Sequence, residues 1–346
     1  MTIKQWERLI NIIDGTGNNE PVTGFIVDSP WIPGWYGISS LDYYSSDDLW
    51  FKSNLKICQT FPDIIFLPGF WSEYGMITES SAFGAPIVWE RSSLPFAKKI
   101  INSIEDISFL KKPDPGKDGL LPLVINRLKL NEKKINSYGH YYKFAITRGP
   151  LNIASYLMGA TDFMMAIATN PEKVHVILKL INGFLEDWLI YQKKMFPDID
   201  GILILDDIVG FLGEHHIKEF FVPYFKSIFN AFDAKIKFFH NDAFGLVCTP
   251  YLEETGVNMF NFSFEHSLKD IQERAGNEVV LVGNIPPRDV LANGLVNDVE
   301  NAVENAWKTV KRKEKIIWSC GGGMPPDVST ENIMAFTETI KKLNNE

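Results

Sequence analysis

The sequence predicts a (β/α)8 TIM barrel with an N-terminal helical extension. Three observations predict it. Eight short runs rich in Val, Ile, Leu or Phe on both faces punctuate the chain, as strands buried on both sides do. Segments with apolar residues at helical spacing separate them, so strand and helix alternate. The first run lacks the G-x-G-x-x-G loop expected of the alternative, a doubly wound open sheet: it continues as GFIVDSPWIPGWYG. The glycine-rich SCGGG comes instead after the last run, where barrels bind ligands. The 346 residues read as a single domain, 1–346, with no linker and no short repeat.

The start, MTIKQWERLINIIDG, is an amphipathic helix with interspersed charges and not a signal peptide. The strand runs follow. TGFIVD ends at Asp28, DIIFLPG at Gly69, KFAITRG near Arg148, and GILILDD at Asp206 and Asp207. KIKFFH ends at His240, VNMFNFSFE near Glu265, EVVLVGN at Asn284 and KIIWSCGGG at Cys320. The helical patterns between them include residues 149–196, broken at Asn170-Pro171, and residues 215–234. SLKDIQERAG closes on a C-cap glycine. Two further amphipathic segments, VNDVENAVENAWKTVKR and TENIMAFTETIKKL, complete the chain. KKPDPGKDGLLPL is an exposed connection.

A formal net charge of -9 argues against nucleic acid. No apolar run reaches the roughly 18 residues of a membrane span, so the expectation is a soluble, cytoplasmic protein. The three cysteines form no CxxC pair and no disulfide framework. Cys58 and Cys248 read as core residues.

Barrels carry their chemistry where strands emerge. Here those positions hold Asp28, Arg148, Asp206, Asp207, His240, Asp242, Glu265, Asn284 and Cys320. His240 and Asp242, two apart, point to the same side of a strand end. With Glu265 and Cys320 they form a candidate Zn²⁺ site, since imidazole, carboxylate and thiolate all ligate zinc. Asp206 and Asp207 are candidate acid–base residues; one of them faces the mouth and the other caps a helix or bonds a loop. Asn284, Gly321 and Gly322 are candidates for cofactor contact, and Asp28, Trp31 and Arg148 for substrate. Trp35, Tyr36, Phe70 and Trp71 would complete an aromatic wall with Trp31. The adjacent His215 and His216 read as surface residues.

GPLNIASYLMG, ILILDDIVGFLG followed by FFVPYFK, the strand to His240, LVGNIPPRDVLANG and SCGGGMPPDVSTENIMAF resemble the uroporphyrinogen decarboxylase superfamily. The resemblance runs from about residue 140 to the C-terminus and more weakly before it. That superfamily comprises cofactor-free haem-pathway decarboxylases and zinc-using cobalamin-dependent methyltransferases, such as the methylcobalamin:coenzyme M methyltransferases. The decarboxylases carry an arginine-rich segment near the N-terminus for a substrate with eight carboxylates. This chain has SPWIPGWYG there and seven arginines in all, a poor host for such a substrate. It is more similar to the methyltransferase branch. That likeness implies zinc held by His240, Glu265 and Cys320, with Asp242 where the branch has its middle cysteine. A carboxylate there makes the site harder, which favours a methoxylated aromatic or a folate over coenzyme M.

The function so implied is methyl transfer between a small molecule and a corrinoid (methylcobalamin-type) cofactor on a separate protein. Zinc would be the Lewis acid and Glu265 would yield its place to substrate. The alternative is a cofactor-free decarboxylase, with Asp28 or Asp206 handling the proton and Arg148 clamping a carboxylate. Either enzyme would be a monomer or a homodimer.

Overall fold

The computed structural model describes residues 1–17, 20–27 and 30–346. The candidate Asp28 lies outside the described residues. Among the described residues there are ten strands: β1 (Val22–Ile26), β2 (Ile65–Leu67), β3 (Ile87–Val88), β4 (Phe96–Ala97), β5 (Phe144–Arg148), β6 (Gly201–Leu205), β7 (Ile236–Asn241), β8 (Met259–Phe262), β9 (Val280–Ile285) and β10 (Ile316–Cys320). β3 and β4 form a small antiparallel ribbon. The other eight make one parallel sheet in the order β2-β1-β10-β9-β8-β7-β6-β5, and they are the eight runs expected from sequence.

The sheet curls, which divides each strand's side chains between two cores. Ile26, Leu67, Phe144, Leu203, Leu205, Phe238, Met259, Val282 and Ile317 meet inside it. The alternate positions, among them Phe25, Phe66, Ile202, Ile204, Phe239, Phe260 and Trp318, pack against the surrounding helices. Period-two alternation between two apolar layers explains why GILIL is buried at every position.

The edge strands β2 and β5 are not hydrogen-bonded to each other. Side chains beyond β2 cross this seam. Buried Glu79 accepts the Thr147 hydroxyl at 3.1 Å and the Arg148 amide at 3.0 Å. Glu73 accepts Arg148 Nη2 at 3.0 Å. Burial, most of all, raises the Glu79 carboxyl above its usual range, with Arg148 opposing.

The expected N-terminal helix spans Ile3–Asp14 and starts in a Thr2–Gln5 capping box. Its buried Trp6 and Leu9 join the core inside the sheet. Trp6 meets Phe144, the first residue of β5, edge to face at 5.4 Å. The helix therefore closes the N-terminal end of the barrel, leaving the strand C-termini for chemistry. Trp6→Ala is expected to cost about 3–5 kcal/mol, as truncation of a buried aromatic does. Urea unfolding checks this; a loss under about 1 kcal/mol would mean the helix is not part of the core.

The long helical stretch resolves into Pro150–Met158, Ala160–Thr169 and Pro171–Met195. The break at Asn170-Pro171 is where sequence put it. A second break falls at Gly159, whose φ is 90°, and there the first two helices bend by 110°. Among the described residues no single helix is long and apolar enough to cross a membrane.

Candidate functional site

Three ligand-capable groups converge at the C-terminal ends of β6 and β7. His240, inward-facing near the end of β7, places Nε2 3.8 Å from Asp207 Oδ1 and 3.8 Å from Asp242 Oδ2. One ligand atom from each of the three lies within 4.8 Å of the others. The Asp242 amide donates to Asp207 Oδ1 at 3.2 Å, tying the two loops together.

The imidazole is held from behind. Asn261, at an inward position of β8, donates its amide to the carbonyls of Val282 at 2.7 Å and Cys320 at 3.2 Å. Its Oδ1 is thereby the acceptor facing His240 Nδ1, at 2.7 Å. Nδ1–H then donates to Asn261 Oδ1, and Nε2 is the ring nitrogen that faces the two carboxylates. Tetrahedral zinc at about 2.0–2.2 Å from each ligand needs ligand atoms roughly 3.3–3.6 Å apart. The observed spacing needs only a small contraction, so the residues fit a divalent cation.

Electrostatics separate the adjacent aspartates. Asp206, wholly buried, accepts the amides of Leu151 at 2.9 Å and Asn152 at 3.0 Å. It caps the helix Pro150–Met158 and does not reach the mouth. Burial holds its carboxyl well above the usual range, against those amides. Asp207 faces the mouth. Desolvation, then the Asp242 carboxylate, lift it above the usual range, while His240 and Arg148 oppose. Its side chain keeps 38% of its surface, so solvent tempers that lift.

Two of the expected ligands stand apart. Cys320 shares the outward face of β10 with Ile316 and Trp318 and is fully buried in the outer core. Its thiol donates to the Gly322 carbonyl at 3.3 Å, and burial pushes it up to about 12. The physical reason is strand parity: Ile317 and Ser319 take the inner positions. Glu265 is exposed, in the turn after β8. The cluster is therefore one histidine with two carboxylates and no thiolate.

The remaining candidates are placed as follows. Trp31 is buried, its ring stacked on Phe66 and its indole donating to Val328 O, so it offers no face to a substrate. Trp35 is tied to Thr330 on the C-terminal helix. Trp71 lies inside the barrel, 5.5 Å below the Arg148 guanidinium. Arg148 is engaged by Glu73 before any substrate arrives. Asn284 donates to the His266 carbonyl, bracing a loop. Gly321 and Gly322 serve close packing: an added Cβ would lie 2.4 Å from Phe264 N at the first and 3.0 Å from Asp242 at the second, where φ is 109°. His215 is exposed beside Glu219.

Sequence reading missed Asn261, Glu73, Glu79 and Tyr156. Tyr156 feels Arg148, Asp207, Asp206 and Glu79, and burial raises its hydroxyl far above the ordinary value. Asn261 left a trace: it is a polar residue at an inward position within MFNF.

A parallel barrel with polar groups gathered at its strand ends is a scaffold that builds active sites there. Residues 37–343 match the uroporphyrinogen decarboxylase (URO-D) family, and the chain belongs to it. It is 22% identical to the uroporphyrinogen decarboxylase of Pseudomonas fluorescens strain Pf-5 over 280 residues, 78% of this chain and 77% of that one. It is 21% identical to that of Ruthia magnifica over 282 residues, 78% of each. Among solved structures, a methyltransferase from Methanosarcina mazei superposes with a TM-score of 0.82 at 17% identity, covering 99% of both chains. A B12-independent methionine synthase from Shewanella sp. W3-18-1 superposes with a TM-score of 0.54 at 10% identity, covering 94% of this chain and 98% of that one.

Proposed function

We propose that the chain is a metal-assisted methyltransferase of the URO-D family. It moves a methyl group between a small substrate and a corrinoid carried by a separate protein. The observation that carries this reading is the convergence of His240, fixed by Asn261, with Asp207 and Asp242. A substrate rich in carboxylates would meet these acids and few arginines. The Methanosarcina methyltransferase shares the fold along nearly its whole length.

Asp207, His240 and Asp242 would hold a divalent cation, zinc first among candidates, which supplies Lewis acidity toward a substrate oxygen or sulfur. Asn261 keeps the imidazole in the tautomer that leaves Nε2 free. The contact between the Asp242 amide and Asp207 keeps both carboxylates in place. Asp207 would serve there as a ligand, its carboxylate facing the mouth beside that of Asp242. Glu73 and Trp71 aim the Arg148 guanidinium, and Arg148 with Tyr156 orients substrate from the β5 side.

Metal analysis tests the site. Wild type and Cys320→Ser are expected to retain about one equivalent of zinc, because the thiol stands outside the cluster. Asp242→Ala is expected to lose it. Retention by Asp242→Ala with loss in Cys320→Ser would restore a thiolate-based site. Methyl transfer is followed anaerobically through the corrinoid spectrum, with cob(I)alamin and candidate methoxylated aromatic, thiol and folate donors. The curated relatives support a second reading, a cofactor-free decarboxylase. That enzyme would release carbon dioxide from a small acid undiminished by a chelator, and methyl transfer would be absent.

A further inference from the structure

His266 is a buried histidine that the proposed chemistry leaves unused. It lies in the turn between β8 and the helix Leu268–Arg274 and keeps 5% of its surface. Its Nε2 accepts the backbone amide of Gly245 at 3.1 Å. A backbone N–H only donates, so Nε2 carries a lone pair and the imidazole is neutral, with its one proton on Nδ1. The Phe244 ring packs on the imidazole, the two centroids 4.7 Å apart. On the other side, the His266 carbonyl accepts Asn284 Nδ2, and its amide donates to the Ser263 carbonyl at 3.2 Å. The ring is thus anchored to the ends of β8 and β9 while it grips the loop after β7.

That loop carries Asp242. The Ala243 amide donates to Asn241 Oδ1 at 3.1 Å, and the Cys248 thiol donates to the Gly245 carbonyl at 3.2 Å. Gly245 is therefore held at both its amide and its carbonyl. It also runs close to the β6 loop: an added Cβ would lie 2.8 Å from Asn241 Nδ2 and 3.0 Å from Gly210 Cα. Three residues before Gly245, the Asp242 amide reaches Asp207 Oδ1. We infer that His266 is a positioning residue for the cation site: through the Gly245 amide, its neutral imidazole fixes the loop that presents Asp242 beside His240. This role rests on the metal-assisted reading and gives that site a support sensitive to protons.

A second proton on the ring would turn Nε2 into a donor facing a donor and break the tie. Burial, most of all, lowers the His266 imidazole below its ordinary value, against Glu265 in the same turn and Asp270 on the following helix. Phe244 and Gly245 of the β7 loop and Asn284 of β9 meet it uncharged. The tie therefore holds in neutral solution and fails on acidification below the ordinary imidazole range.

The test compares the full-length wild type with two variants. His266→Gln offers the Gly245 amide an oxygen acceptor at any pH, and His266→Phe keeps a ring against Phe244 with no acceptor. In a zinc titration at about pH 7.5, His266→Phe is expected to bind about tenfold more weakly than wild type, the low end for outer partners of a metal ligand, and His266→Gln within about threefold of it. Between about pH 7.5 and about pH 5.5, wild type should lose at least about threefold more affinity than His266→Gln, because the titrations of Asp207, His240 and Asp242 are common to both. Hydrogen exchange of the metal-free proteins reads the loop itself: amides of residues 242–247 should exchange at least about tenfold faster in His266→Phe than in wild type. If His266→Phe does not fold, the pH comparison between wild type and His266→Gln decides alone. Equal exchange in wild type and His266→Phe, or equal zinc affinity and equal pH dependence in all three proteins, overturns the role of His266. A wild type that takes up no zinc overturns the cation site instead, and the exchange rates still decide whether His266 holds the loop.

Discussion

His240→Ala is expected to abolish stoichiometric metal and to lower methyl transfer by at least about 100-fold. The magnitude follows from what surrounds the ring. Outer partners of a ligating histidine are themselves worth about 10–100-fold in metal affinity or activity, and loss of the ligand should exceed loss of its support. Asn261→Ala is therefore the graded companion. It leaves the imidazole in place but removes the acceptor at 2.7 Å that selects its tautomer. Metal affinity should fall by about 10–100-fold, and Asn261→Asp, which preserves an acceptor, should recover part of it. A competitive titration against a zinc-sensitive dye reads both. An Asn261→Ala protein with wild-type affinity and wild-type pH profile would show that the imidazole needs no such support.

The neighbouring aspartates should separate stability from chemistry. Asp206→Ala removes the acceptor for two buried amides, those of Leu151 and Asn152. A lost helix cap costs about 1 kcal/mol and an unmade buried bond about 1–3 more. The expected loss is about 2–4 kcal/mol in urea unfolding, with metal retained in the folded protein. Asp207→Asn should do the reverse. Its side chain is partly exposed and caps no helix, so stability should stay within about 0.5 kcal/mol. Removing one of two carboxylates from the cluster should weaken metal binding by at least about tenfold. If both variants lose stability alike and metal alike, the two residues are not divided as the geometry divides them.

The sequence carried the strands because burial on both faces leaves a readable trace: an unbroken apolar run ending in a polar group or glycine. All eight runs became strands of one sheet. His240 and Asp242 were legible for the related reason that residues two apart share a side of a strand. The same rule places Cys320 outward, on the face of Ile316 and Trp318, and the family-like cysteine-before-glycine pattern outweighed it. Trp31 looked like a mouth residue because it follows β1 so closely. Only the packed helix shows that its indole turns to Val328 O and away from substrate.

Alone, the sequence determined the alternation of strand and helix, the helical N-terminal segment, and a strand-end pair able to share a cation, because each depends on local periodicity. Tertiary structure decided which adjacent aspartate faces the mouth, that Asn261 steers the imidazole, and that Glu73 and Glu79 bridge the β2–β5 seam. These partners lie from 21 to 75 residues apart along the chain. Nothing in local spacing encodes such meetings; they exist only once the sheet has curled and brought its strand ends to one rim.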